Sequence, residues 1–157
     1  MSNIFGTKEV EVAPVEATGL MPADGTFAKL CDTYRDTVEI MDDDPDIQEE
    51  YSDQQTEPIE VFTEEGKTKG KFSTFQFDTA TLKKLFPTGT IVDGKFTFGK
   101  NLGFETALRF KTDSGHMISF PKVKMFAKKS IGLQKKKLGL IDVSFTPMSQ
   151  PTIEELP

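Results

Sequence analysis

From Phe104 to Phe120 the chain spells out a β-hairpin. Phe104, Leu108 and Phe110 alternate with Glu105, Arg109 and Lys111; Asp113-Ser114-Gly115-His116 supplies a turn; Met117 to Phe120 resumes beyond it. A period of two places alternate side chains on opposite faces of an extended strand, and no helix can satisfy it. Other segments follow the same rule. Lys71 to Phe77 reads as a strand with Phe75 and Phe77 on one face and Phe72 on the other. Ile141, Val143 and Phe145 alternate with Asp142, Ser144 and Thr146. Thr33 to Met41, Ile59 to Phe62 and Val123 to Phe126 read as further strands, and Asp93-Gly94 is the dipeptide of a tight hairpin. The one convincing helix runs from Thr79 to Phe86, with Asp78 as its N-cap and Pro87-Thr88-Gly89 as its stop. At little more than two turns it depends on tertiary packing.

Helical heptads are absent, and 14 Phe, 9 Pro and 12 Gly are spread along the chain. The expected fold class is therefore mainly β (α+β): an antiparallel β-sandwich or barrel with one short flanking α-helix. Leu, Ile, Val and Phe make up 41 of the 157 residues, enough to form a core. The length predicts one domain with loose ends. Residues 1–23 read as an N-terminal arm or lone strand around Val10-Glu11-Val12, residues 24–146 as the β-domain, and residues 147–157, with three prolines, as a flexible tail.

Charge is sorted along the chain. Between Asp36 and Glu65 there are 13 acidic residues and no Lys or Arg. Between His116 and Ile141 there are seven lysines and no acid: Lys122, Lys124, Lys128, Lys129, Lys135, Lys136 and Lys137. A random solvated surface mixes its signs more evenly. Three readings of the lysines stand open. They face nucleic acid with Phe120 and Phe126 as stacking surfaces; they are a solvated loop; or they meet the acidic stretch of a neighbouring copy, a self-complementary surface that builds rings or filaments. The net charge of −6 weakens the first, since a sequence-independent DNA binder is normally basic.

Little else points to chemistry. One histidine excludes every site that needs two, and the lone Cys31 excludes an internal disulfide. His116 sits among turn-forming residues, and Cys31 sits in an apolar patch as a small buried hydrophobe. Asp42, Asp44 and Asp46 are spaced like the start of an EF-hand, but Ile47 stands where that loop needs glycine. No glycine-rich phosphate loop follows a strand. No enzyme, metal or cofactor is expected. No apolar run approaches the roughly 20 residues of a membrane span, and the N-terminus has no apolar signal core, which predicts folding in the cytoplasm.

The order of these features resembles the tail tube (major tail) proteins of long-tailed bacteriophages, in the branch found in phages and prophages of Bacteroides-like bacteria. The matching segments are Asp32 to Ile40; Asp42-Asp43-Asp44-Pro45-Asp46 with Glu49-Glu50; Pro58 to Val61; Lys71 to Phe75; Thr81 to Phe86; Gly94-Lys95-Phe96; Phe120 to Lys124; and Leu140 to Phe145. The resemblance implies a non-enzymatic virion protein whose copies close into a ring, six by the family pattern. Rings stack into the conduit that carries DNA into the host. Expected partners are further copies of the chain, other tail proteins (tape measure, tail terminator, distal tail) and passing DNA that is not specifically bound. The expected location is the virion tail, assembled in the bacterial cytoplasm. The stretch Asp42–Glu57 maps to the loop that contacts the adjacent ring, with Asp42, Asp43, Asp44, Asp46, Ile47, Glu49, Glu50, Tyr51 and Asp53 as its contact residues. The seven lysines are the candidate partner surface. On composition this stretch is expected to order only against a partner, and part of the acidic excess is expected to face the lumen and let DNA slide. The alternative is a monomeric β-barrel that binds a ligand or host surface in a pocket lined by the Phe set.

Overall fold

The computed structural model describes residues 2–157. Its elements, in chain order, are β1 (Glu9–Ala13), β2 (Ala28–Cys31), β3 (Glu39–Asp42), β4 (Asp46–Glu50), β5 (Glu60–Glu64), β6 (Thr68–Thr74), α1 (Thr79–Leu85), β7 (Thr90–Val92), β8 (Lys95–Thr97), β9 (Phe104–Lys111), β10 (His116–Ser130), β11 (Leu140–Pro147) and β12 (Thr152–Glu155). The fold is mainly antiparallel β with one short helix among the described residues, as the sequence patterning implies.

Eight strands form the main sheet, seven in the order β2-β1-β9-β10-β11-β6-β3 and β12 paired with β10 off that path. The 15-residue β10 is its spine. β9 pairs along one edge of β10, while the other edge is shared by β12 at His116–Ser119 and β11 at Val123–Ser130. A register shift between Phe120 and Val123, around Pro121, bends the strand. The chain leaving β2 bridges to β6 through Thr33 and Thr74, which brings the two ends of the sheet order together. The sheet thus curls around one core. Val10, Leu30, Phe72, Leu108, Phe110, Phe120, Met125, Ile141, Val143 and Phe145 meet there, and α1 adds Leu82 and Leu85. Phe145 stands 5.5 Å from both Phe110 and Phe120, and Phe72 lies 6.0 Å from Phe110, so the aromatic set fills the interior by tilted and edge-on packing. Gly70 sits opposite Phe145 on the neighbouring strand, and the Phe145 ring occupies the space a Cβ there would need.

α1 begins as its sequence dictates. The Asp78 carboxylate accepts hydrogen bonds from the Thr81 amide and hydroxyl. These bonds, the hydroxyl first, hold the Asp78 carboxyl below its ordinary value. Asp93 and Gly94 both adopt positive φ between β7 and β8, as a tight hairpin of right-handed twist requires.

Three expectations need correction. Of the two readings of residues 1–23, arm or lone strand, the strand around Val10-Glu11-Val12 is present but not alone: β1 is an interior strand of the main sheet, with Val10 and Ala13 buried. The tail 147–157 is tied down by β12 and by the Leu156 amide donating to the Gly115 carbonyl at 2.7 Å. The strand expected over Thr33–Met41 shortens to β3, because Asp36 takes φ of 59° and turns the chain, held by Thr37 and Ser73 hydrogen-bonding each other.

The outer face of β9 is buried as well. The connection from β1 to β2 folds back over it, so that Phe27 and Met21 cover Ala107 and Ala13. Arg109 lies beneath, 3.1 Å from Glu11 and from Asp24, with its guanidinium 4.1 Å from the centre of the Phe27 ring. Burial alone would raise the Glu11 carboxyl, but Arg109 and Lys111 outweigh it and hold the group below its ordinary value.

Candidate functional site

The acidic stretch becomes one strand of a projecting hairpin. The β3–β6 ladder runs to Asp42 opposite Thr68, and the Asp43 amide still donates to the Lys67 carbonyl at 2.8 Å. Pro45 then interrupts the ladder, and Gly66 lets the other strand approach, since a Cβ at Gly66 would collide with the Asp43 carbonyl. Beyond this joint β4 pairs with β5 from Asp46–Glu64 to Glu50–Glu60, and the Ile59 amide closes the pairing onto the Glu50 carbonyl at 2.7 Å. The expected Asp42–Glu57 loop is therefore corrected: Asp42 and Asp46–Glu50 pair, and their partner strands lie outside those bounds.

Every residue of β4 and β5 is exposed, on both faces. Ile47 and Val61 share one face; Phe62 stands on the other with more than half its surface bare. Asp46–Glu64 and Glu50–Glu60 set like charges directly opposite each other, which disfavours pairing, and a lone two-stranded ribbon is marginal in water. Tyr51 donates its hydroxyl to Glu49, and that carboxylate holds the phenol above its ordinary value. Asp43 is paired with Lys69 at 3.0 Å and Asp42 accepts from Thr68; Asp44 and Asp53 stand exposed in the joint and the tip. Among the described residues no three acidic, His or Cys side chains gather closely enough to hold a metal ion, Asp42, Asp44 and Asp46 included.

The seven lysines do not form one patch. Lys122 pairs with Glu105 at 3.5 Å near the middle of β10, and Lys124 lies opposite Glu105 and Thr146. Lys128 lies opposite Asp142, and the Lys129 ammonium sits 3.5 Å from the centre of the Phe98 ring. Lys135, Lys136 and Lys137 occupy the exposed 131–139 loop with Leu133, which is 96% exposed. Phe120, a stacking candidate from the sequence, is wholly buried in the core; Phe126 is exposed.

Strand register fixes where these groups lie. β11 runs from Leu140, opposite Ser130 and one residue from Thr74's partner, to Phe145 opposite Gly70 and Pro147 opposite Val123. The 131–139 loop leaves the first end and the hairpin leaves the second. The eight residues of β11 separate them by about 26 Å at the usual rise per residue. α1, which follows β6, packs at the lysine end. At the hairpin end the fold is open, in a cleft of about 560 Å³ between β3 and β12 with Ile40, Ile118, Phe120 and Ile153 in its lining.

The two remaining candidates are buried within the fold. His116 is buried, its Nδ1 3.0 Å from the Ser114 hydroxyl and its Nε2 2.8 Å from the Ser2 hydroxyl. Cys31 is buried in the core, and burial pushes its thiol up to about 11, which makes it a poor nucleophile. No helix among the described residues is long and apolar enough to cross a membrane.

The chain matches no protein-family model, and no curated protein matches it.

Proposed function

We propose that this chain is a structural subunit that assembles head to tail with further copies of itself, as the wall of a tube of the bacteriophage tail-tube kind. The single observation that carries the reading is the placement of opposite charge at opposite ends of the same strands. The β4–β5 hairpin belongs to a stretch with no lysine or arginine, and the 131–139 loop to one with no acid. Some 26 Å of β11 keeps them apart within one molecule, so they meet only between molecules. Contact between unlike patches is heterologous, and such contact propagates into rings or filaments.

The exposed hairpin supports the same reading. Its Ile47, Val61 and Phe62 gain burial only against a partner, and its like-charge pairs are relieved only by cations brought to them. Exposed ion pairs contribute about 0–1 kcal/mol each, so the apolar side chains must share the contact. The resemblance to tail tube proteins adds ring closure, a hexameric ring, the DNA conduit and the virion location to the proposal. A wall carrying net negative charge would repel passing phosphates.

Electron microscopy and sizing of purified, concentrated protein test this. Rings or tubes are expected. Replacing residues 44–65 by a short Gly-Ser link should leave a folded domain that stays monomeric, and moderate salt should shorten the wild-type polymer. A wild-type protein that remains monomeric at every concentration overturns the proposal.

A further inference from the structure

The 131–139 loop carries an apolar knob, and the opposite end of the fold carries a cleft. Leu133 is almost wholly exposed and sits on a turn in which the Gln134 amide donates to the Gly132 carbonyl at 3.0 Å. Its own chain offers it no cover. Lys135, Lys136 and Lys137 follow directly.

The cleft at the hairpin end is apolar inside and acidic at its border. Ile40, Ile118 and Ile153 give it an apolar lining, with Phe120 buried behind them. Asp42, Asp43 and Glu65 border it. Asp43 is already engaged by Lys69, whereas no ion pair among the described residues takes up Asp42 or Glu65. The volume of about 560 Å³ exceeds one leucine side chain and leaves room for the turn that presents it.

We infer that Leu133 of one copy seats in the cleft between β3 and β12 of the next copy, with Lys135–Lys137 against Asp42 and Glu65. The occupant is a second copy of this chain. An apolar knob followed by three lysines fits an apolar lining bordered by unpaired carboxylates, and the two lie at opposite ends of one molecule. This rests on the head-to-tail reading and adds to it the seat and the anchor.

A disulfide trap tests the seat in the full-length protein. Leu133→Cys and Ile153→Cys are combined in one chain; both positions are exposed, and the native Cys31 is buried and remains in place. Mild oxidation of assembled material should give a ladder of covalent multimers on a non-reducing gel, while each single variant stops at dimers. Leu133→Asp, whose fold is checked by circular dichroism, should raise the concentration needed for assembly about tenfold or more, since a buried leucine is exchanged for a charge. Tubes that form without a ladder, and a Leu133→Asp protein that assembles like the parent, overturn the seat and leave head-to-tail assembly standing. A parent protein that never assembles overturns both.

Discussion

β9 and the β4–β5 hairpin share one backbone geometry and end in opposite states. Five consecutive residues of β9, Thr106 to Phe110, are buried, whereas no residue of β4 or β5 is. The difference lies in what each strand has beside it. β9 has β1 and β10 at its edges, the aromatic core beneath and the folded-back β1–β2 connection above. The hairpin has only itself. Backbone pairing alone does not make a stable strand in water; burial does. Stability in this chain therefore resides in the curled sheet, and the hairpin adds exposed surface without adding to the core.

Substitutions separate the two regions, and the largest effects belong to the core. Phe145→Ala removes a ring packed against three others and should cost about 3–5 kcal/mol in urea unfolding. Arg109→Ala leaves the buried Glu11 carboxylate with Lys111 as its one remaining cation and should cost about 1.5–3 kcal/mol. Replacing Arg109 and Glu11 together by apolar residues should recover most of that loss. The pair also sets a sign in acid. Glu11 is held below its ordinary value, so its contribution is full above the ordinary carboxyl range and is lost as pH falls through the lowered value. Unfolding measured against pH should show a shallower acid loss in the double variant.

Gly70→Ala pushes a methyl into the Phe145 ring and should cost about 1–3 kcal/mol by the same assay. Asp78→Ala removes the helix cap and should cost about 1 kcal/mol. The smallest effect on folding sharpens the comparison most. Phe62→Ser, on the bare face of the hairpin, should change stability by no more than about 0.5 kcal/mol, yet should impair assembly seen by light scattering. A large loss of stability from Phe62→Ser would mean that the hairpin belongs to the folded core after all.

Much of this was legible in the residues. The alternation of Phe104–Phe110 and of Ile141–Phe145 locates β9 and β11, and the Asp78 cap and the Asp93-Gly94 turn lie where the sequence puts them. Other features depend on contacts distant in the chain. Alternation places Arg109 on the outer face of β9 but says nothing of residues 14–27 folding over that face and burying it with Glu11. Val10-Glu11-Val12 reads as a lone strand, but only its pairing with β2 and β9 places it inside the sheet, and β12, short and set between prolines, is identified by its pairing with β10. The acidic stretch is too charged to resemble a strand, and its partner Glu60–Glu64 begins ten residues beyond the end of β4. The segregation of charge was plain in the sequence. That the two groups leave opposite ends of β11 follows only from register.

In the proposed head-to-tail polymer that opposition would set a direction. One terminus of the stack would present bare acidic ribbons, the other bare lysine loops, so growth would proceed at unequal rates from two chemically unlike faces. A factor that starts or finishes such a stack could tell the first subunit from the last by the sign of the charge it meets.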